Sequence, residues 1–195
     1  YNLPLGATSI MTTGKEYDNI YPVWDWTRIP GTTAIGNQDK TSLEGYQIGN
    51  NEFGGGVSDG VNGIIAYKGK YNELQANKAY FFFDNMMFCI GSDISYVQND
   101  NVLTSVEQNL LNGEVIYNDG QEKQLSSNSN MQLKQLKWVY HNNTGYIFRG
   151  TDNVTIQNMS QAGSWKDINA TGESGLIDKS VFSVWINHGL NPENA

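Results

Sequence analysis

Cysteine is almost missing from this chain. Cys89 is its single thiol, set in the apolar run Met86–Ile90. An intrachain disulfide is therefore excluded, and Cys89 is expected to pack as a small buried hydrophobe. The lack of disulfides does not exclude a secreted or periplasmic setting. Basic residues are also scarce, with 12 Lys and Arg against 20 Asp and Glu, a net charge of −8. That balance lacks the basic footprint nucleic-acid binding requires. A grip on any polyanion has to come from a local positive field or from another part of the protein. Long apolar runs are absent. The longest, around Ala79–Ile90, is interrupted by Asp84 and Asn85 and is too short to span a bilayer. His141 and His188 are the two histidines of the chain. Each sits in a turn, in a structural or solvent-exposed role, and no ligand spacing surrounds either, so no metal and no cofactor is expected. There is no G-x-S-x-G elbow for a nucleophilic serine. The 20 acidic residues make carboxylate pairs common by chance, and no pair stands out as catalytic.

What is present is glycine, aromatic residues and uncharged polar residues. The 195 residues hold 21 glycines and 12% aromatics, with charged residues at 16%. The length suits one sizeable core. Apolar segments recur every 8–12 residues or so with turn signals between them, which predicts an all-β fold, a large antiparallel β-sandwich with little helix. Residues 1–195 read as a single β-sandwich domain without a linker or internal repeat. Strands are expected at Ala7–Met11, Gly63–Lys68, Glu114–Asn118, Leu136–Tyr140, Gly145–Arg149, Val154–Gln157 and Val181–Asn187, while helix and strand compete over Val102–Leu111. Val181–Asn187 alternates, with Val181, Ser183, Trp185 and Asn187 on one face and Phe182, Val184 and Ile186 on the other. A further strand could begin at Tyr46–Ile48. Ala79–Phe83 and Met86–Ile90 read as a hairpin turning at Asp84-Asn85. Their continuous apolarity predicts burial on both faces. Tyr71–Lys78 is the first plausible helical turn or connection. The chain starts without a methionine and ends abruptly, which suggests a domain incomplete at both ends.

The stretch Tyr17–Thr33 concentrates the chemistry. Pro22 and Pro30 bracket it and bias Tyr21 and Ile29 towards extended backbone. An extended Val23–Ile29 would place Trp24, Trp26 and Arg28 on one face. Pro30-Gly31 predicts a tight turn. Trp24 and Trp26 are candidates for a sugar-stacking platform, with core packing as the plainer alternative. Arg28 could grip a carboxylate or sulfate as a fork, or pair locally with Asp25. Asp25 itself reads as a carboxylate holding nearby backbone N–H groups. Asn51 and Glu52 precede Phe53-Gly54-Gly55-Gly56, in a glycine-rich stretch of the kind that often carries function, and are the remaining substrate-binding candidates.

The segment Pro22–Thr33 (PVWDWTRIPGTT) resembles a signature of polysaccharide lyase family 8, the chondroitinase and hyaluronate lyase type. Phe53–Gly60, Tyr80–Gly91, Thr104–Gln108 and the C-terminal WINHG are similar to further patterns of the same family, in the same order. The resemblance implies the β super-sandwich domain that follows a catalytic helical toroid. It implies a parent enzyme, a carbon–oxygen lyase that cleaves uronic-acid glycosaminoglycans by β-elimination, bacterial and secreted or periplasmic. Its catalytic residues would lie upstream, so no catalytic residue is assigned here. The fragment would act as scaffold and cleft wall, inactive alone. Its partners would be an acidic polysaccharide and the upstream helical domain. The alternative is a non-catalytic carbohydrate-binding β-sandwich module.

Overall fold

The computed structural model describes residues 5–36, 51–150 and 153–195. Thirteen strands fall within them. They are β1 (Thr33–Ile35), β2 (Phe53–Ser58), β3 (Gly63–Tyr71), β4 (Leu74–Phe83), β5 (Met86–Ser95), β6 (Asn101–Leu110) and β7 (Ile116–Asn118), followed by β8 (Glu122–Gln124), β9 (Ser129–Leu133), β10 (Trp138–His141), β11 (Thr144–Ile147), β12 (Val154–Gly163) and β13 (Ile177–Leu190). Among the described residues there is no α-helix, and the fold is all-β as expected. The strands form three antiparallel sheets, ordered β1-β6-β13-β12-β9, β11-β10-β7-β8 and β2-β3-β4-β5.

The five-stranded sheet is central. Phe182 and Val184 of β13 point to the same side as Val154 and Ile156 of β12. They pack against Tyr117, Leu125, Leu136, Val139 and Tyr146 of the β7–β11 region. The alternation expected for Val181–Asn187 therefore holds, with Phe182, Val184 and Ile186 towards this core. On the opposite side, Val181 meets Ile20, Val23, Trp24 and Ile29. Ile35 and Val102 join the central sheet to Leu74, Ala76 and Ile94 of the β2–β5 sheet.

Turn chemistry fixes the hairpins. Asn72-Glu73 joins β3 to β4 with φ of 44° and 69°, and Asn142-Asn143 joins β10 to β11 with φ of 46° and 62°. Two successive positive-φ residues match the right-handed twist of the flanking strands. At Tyr71–Lys78, read as a helical turn or a connection, the structure has the Asn72-Glu73 turn and the first half of β4, with no helix. Pairing with β3 on one side and β5 on the other captures the segment. No strand forms at Ala7–Met11 either. Thr8 N–H is bonded to the Pro30 carbonyl at 2.9 Å, which ties this segment to a turn. The expectation for Tyr46–Ile48 lies outside the described residues.

The β4–β5 hairpin turns at Asp84-Asn85 as expected, but its burial does not follow the expectation. Leu74, Ala76, Lys78 and Tyr80 are buried on one face. The other face is open, with Phe88 56% and Met86 66% exposed. Cys89, which pairs with Tyr80 and so shares its face, is exposed too. No described element packs over that outer face, so apolarity on both sides of a strand does not produce burial on both sides here.

β6 carries a bulge. Val184 pairs with Glu107 while Trp185 pairs with Ser105, leaving Val106 as the extra residue. The bulge breaks simple alternation and sends Ser105 and Glu107 to opposite faces. A strand without the bulge would place them on the same one.

Candidate functional site

Tyr17–Thr33 is not an extended strand. Tyr21–Val23 forms a 3-10 turn with Pro22 at its start. Asp25 then nucleates a second turn: its Oδ1 accepts the Thr27 N–H at 3.0 Å and the Thr27 hydroxyl at 2.6 Å. The Arg28 N–H reaches the Asp25 carbonyl at 2.9 Å. These local bonds compete successfully with strand pairing. Trp24, Trp26 and Arg28 therefore do not share one face. The turn at Pro30-Gly31 forms as expected, with Gly31 at φ 83° and Thr32 N–H bonded to the Ile29 carbonyl at 3.1 Å.

Gln108 of β6 holds the segment in place. Its amide N–H groups donate to the carbonyls of Asp25 and Arg28 at 3.0 and 2.9 Å. Its oxygen accepts the Asp25 N–H at 2.8 Å, and its backbone carbonyl accepts the Trp24 indole N–H at 3.0 Å. Ser105 adds a hydroxyl bond to the Arg28 carbonyl at 2.8 Å. Trp24 is 5% exposed, so its ring packs in the core and offers no platform. It stands perpendicular to Trp26, with ring centroids 5.4 Å apart. Trp26 is half-buried, and its indole N–H bonds to the Tyr21 carbonyl at 3.2 Å. The more open ring of this cluster is Tyr21, 42% exposed, flanked by Trp26 at 5.9 Å and Trp165 at 6.4 Å.

Arg28 points elsewhere. Its guanidinium lies over the Trp185 ring, 4.0 Å from the centroid, an arrangement the ring quadrupole favours. Its Nε approaches Asp25 Oδ2 at 3.3 Å as an ion pair outside hydrogen-bond geometry. Both expected local roles of Asp25 are therefore present. Asn51 and Glu52 lie just ahead of β2, exposed, on a different sheet. The structure does not bring them into hydrogen bonding with Trp24, Trp26 or Arg28 among the described residues.

Arg28 sits at one end of an open groove of about 330 Å³ that the sequence did not disclose. Asn130 and Gln132 of β9, Thr155 of β12 and Trp185 and Asn187 of β13 line it, with Asn101 at the β6 end. Period-2 alternation in each strand carries these residues, but only cross-strand register puts them side by side: Thr155 pairs with both Gln132 and Trp185.

Three of the buried ionisable groups that lie away from this groove are Glu107, His141 and Lys78. Glu107 is fully buried and accepts the Tyr17 hydroxyl at 2.7 Å and the Tyr146 hydroxyl at 3.2 Å. Burial pushes its carboxyl up to about 7, against the pull of these hydrogen bonds. His141 is fully buried too, which lowers it to about 4, and its Nε2 accepts the Asn112 N–H at 3.0 Å. Lys78, buried beneath Gly31, donates to the Gly31 carbonyl and to the Thr33 hydroxyl. Among the described residues no group of three or more His, Cys, Asp or Glu side chains could hold a metal ion. No described helix is long and apolar enough to cross a membrane.

The fold and its aromatic turn thus define an all-β sandwich layer built on a central five-stranded sheet. The chain belongs to polysaccharide lyase family 8, whose super-sandwich domain model matches residues 1–195. Chondroitinase-AC of Pedobacter heparinus is 41% identical over 193 residues, covering 97% of this chain and 27% of that protein. Xanthan lyase of Bacillus sp. (strain GL1) is 28% identical over 190 residues, covering 91% of this chain and 20% of that protein. A solved structure of chondroitinase AC lyase superposes with a TM-score of 0.87 at 39% identity, over 98% of this chain and 28% of that one. Paenibacillus xanthan lyase superposes with a TM-score of 0.81 at 25% identity, over 95% and 19%. The chain thus spans about a quarter of the length of the curated relatives it matches.

Proposed function

We propose that the protein carrying this chain is a bacterial, secreted or periplasmic lyase that cleaves uronic-acid glycosaminoglycans of the chondroitin and hyaluronan type by β-elimination. Its catalytic groups lie on an upstream helical domain, and the present chain supplies scaffold and one wall of the substrate cleft. The observation that carries this reading is the match to the super-sandwich domain over the whole chain, together with 41% identity to a chondroitinase. β-Elimination needs a base for the sugar C5 proton and neutralisation of the uronate carboxylate. Within this reading Arg28, Trp26, Asn51 and Glu52 are the glycan-facing side chains, and Trp24 supports them from the core.

The full protein should release unsaturated, ultraviolet-absorbing oligosaccharides from chondroitin or hyaluronan. Residues 1–195 alone should release none. Saturated products from the full protein, as hydrolysis would give, would overturn the reading.

A further inference from the structure

Among the described residues, the central sheet is covered unevenly on the face opposite its main core. Trp24–Ile29 covers one end, and the groove occupies the other. Its floor is Thr155 and Trp185, each 6% exposed. Its rim carries the carboxamides of Asn101, Asn130, Gln132 and Asn187. The side chains of Asn101, Asn130, Gln132 and Thr155 make no hydrogen bond among the described residues, while Asn187 Oδ1 accepts the Gly189 N–H at 2.8 Å. An array of free carboxamides and a hydroxyl supplies donors and acceptors together. That chemistry suits the hydroxyl and amide groups of a saccharide, which likewise donate and accept.

Charge points the same way. The chain carries 20 acidic residues against 12 basic ones, yet among the described residues no Asp or Glu lines the groove, and Arg28, paired with Asp25 outside the lining, is the one charged lining residue. Stacking on Trp185 fixes the guanidinium plane at the groove's edge. A fixed, planar fork is the geometry that recognises a carboxylate or sulfate in two contacts.

We infer that this groove binds one anionic unit of a glycan, its acidic group on Arg28 and its hydroxyls on Asn130, Gln132 and Thr155. The identity of the ligand class rests on the lyase reading above; the groove's capacity to bind does not. The test is calorimetric titration of the full protein with a chondroitin tetrasaccharide, and with the same oligosaccharide after its carboxyl groups are reduced. The double replacement Asn130→Ala and Gln132→Ala should raise Kd about tenfold, as expected for the loss of two hydrogen bonds to a sugar. Arg28→Ala should abolish the preference for the charged form. Should the alanine pair lower thermal stability, Gln132→Glu keeps the shape and must weaken the charged ligand by repulsion. Undetectable binding to the unaltered protein, or wild-type affinity in all of these variants, overturns the inference. Failure of the lyase reading would instead show as missing cleavage, read separately from binding.

Discussion

Gln108 Nε2 donates to the Arg28 carbonyl at 2.9 Å, from a strand eighty residues further along the chain. The same carboxamide bonds the Asp25 carbonyl and N–H. One fully buried side chain thus anchors the turn that aims Arg28 at Trp185. Gln108→Met preserves volume but orphans the Asp25 N–H and removes one of two donors from each of the Asp25 and Arg28 carbonyls. It should cost about 3 kcal/mol of stability, the sum expected for one donor left unpaired and two further hydrogen bonds lost. Urea denaturation of the full protein checks this, and a loss below 1 kcal/mol would mean that the turn holds itself.

Glu107 should make the protein less stable as pH rises. Its carboxyl has an ordinary value of 4.5 and is pushed up to about 7 by burial. The folded state therefore binds this proton first, and stability falls between those values on the alkaline side. Glu107→Gln mimics the neutral acid and should stabilise by about 3 kcal/mol at pH 8, with little effect near pH 4. A variant less stable than the wild type at pH 8 would contradict this.

His141 and His188 act in the opposite direction. Burial lowers each from 6.5 to about 4, helped at His188 by the charge of Lys78. The unfolded chain takes these protons first, so stability drops as pH falls from 6.5 towards 4. In the wild type, Glu107 partly offsets that loss. The Glu107→Gln background should therefore show a steeper decline below pH 6.5, read from denaturation midpoints across pH.

Lys78 is a buried amine lowered from 10.5 to about 8 by desolvation. Wild-type stability should rise with pH between these values, because the unfolded chain holds the proton longer. Lys78→Met should stabilise by about 2 kcal/mol at pH 7, with the gap closing above pH 10.5. The Gly31 carbonyl keeps its bond from the Tyr80 hydroxyl at 3.0 Å, and the Thr33 hydroxyl keeps Thr104 at 2.8 Å. A destabilised variant would show that Lys78 holds the Pro30-Gly31 turn by itself.

The outer face of β4 and β5 should tolerate polar replacement. Met86→Lys and Phe88→Thr lie at exposed positions. In residues 1–195 they should change stability by less than about 1 kcal/mol while reducing concentration-dependent association, measured by light scattering. Contiguous exposed apolar surface is an association hazard.

The sequence alone determined the class of the fold, most strand positions and the family. Those follow from local signals: β-branched and aromatic runs, Asp-Asn and Pro-Gly turns, and the ordered motifs around PVWDWTRIPGTT. Alternation in Val181–Asn187 even assigned the correct face to each residue. Only the tertiary structure decided where the segment's groups point. Asp25 wins its own turn against extension, and the bulge at Val106 turns Ser105 to the opposite face from Glu107. The groove follows from the register of β6, β13, β12 and β9, segments scattered between residues 101 and 190. Residue spacing along a chain does not encode that register, because pairing between distant strands is set by packing across the whole sheet.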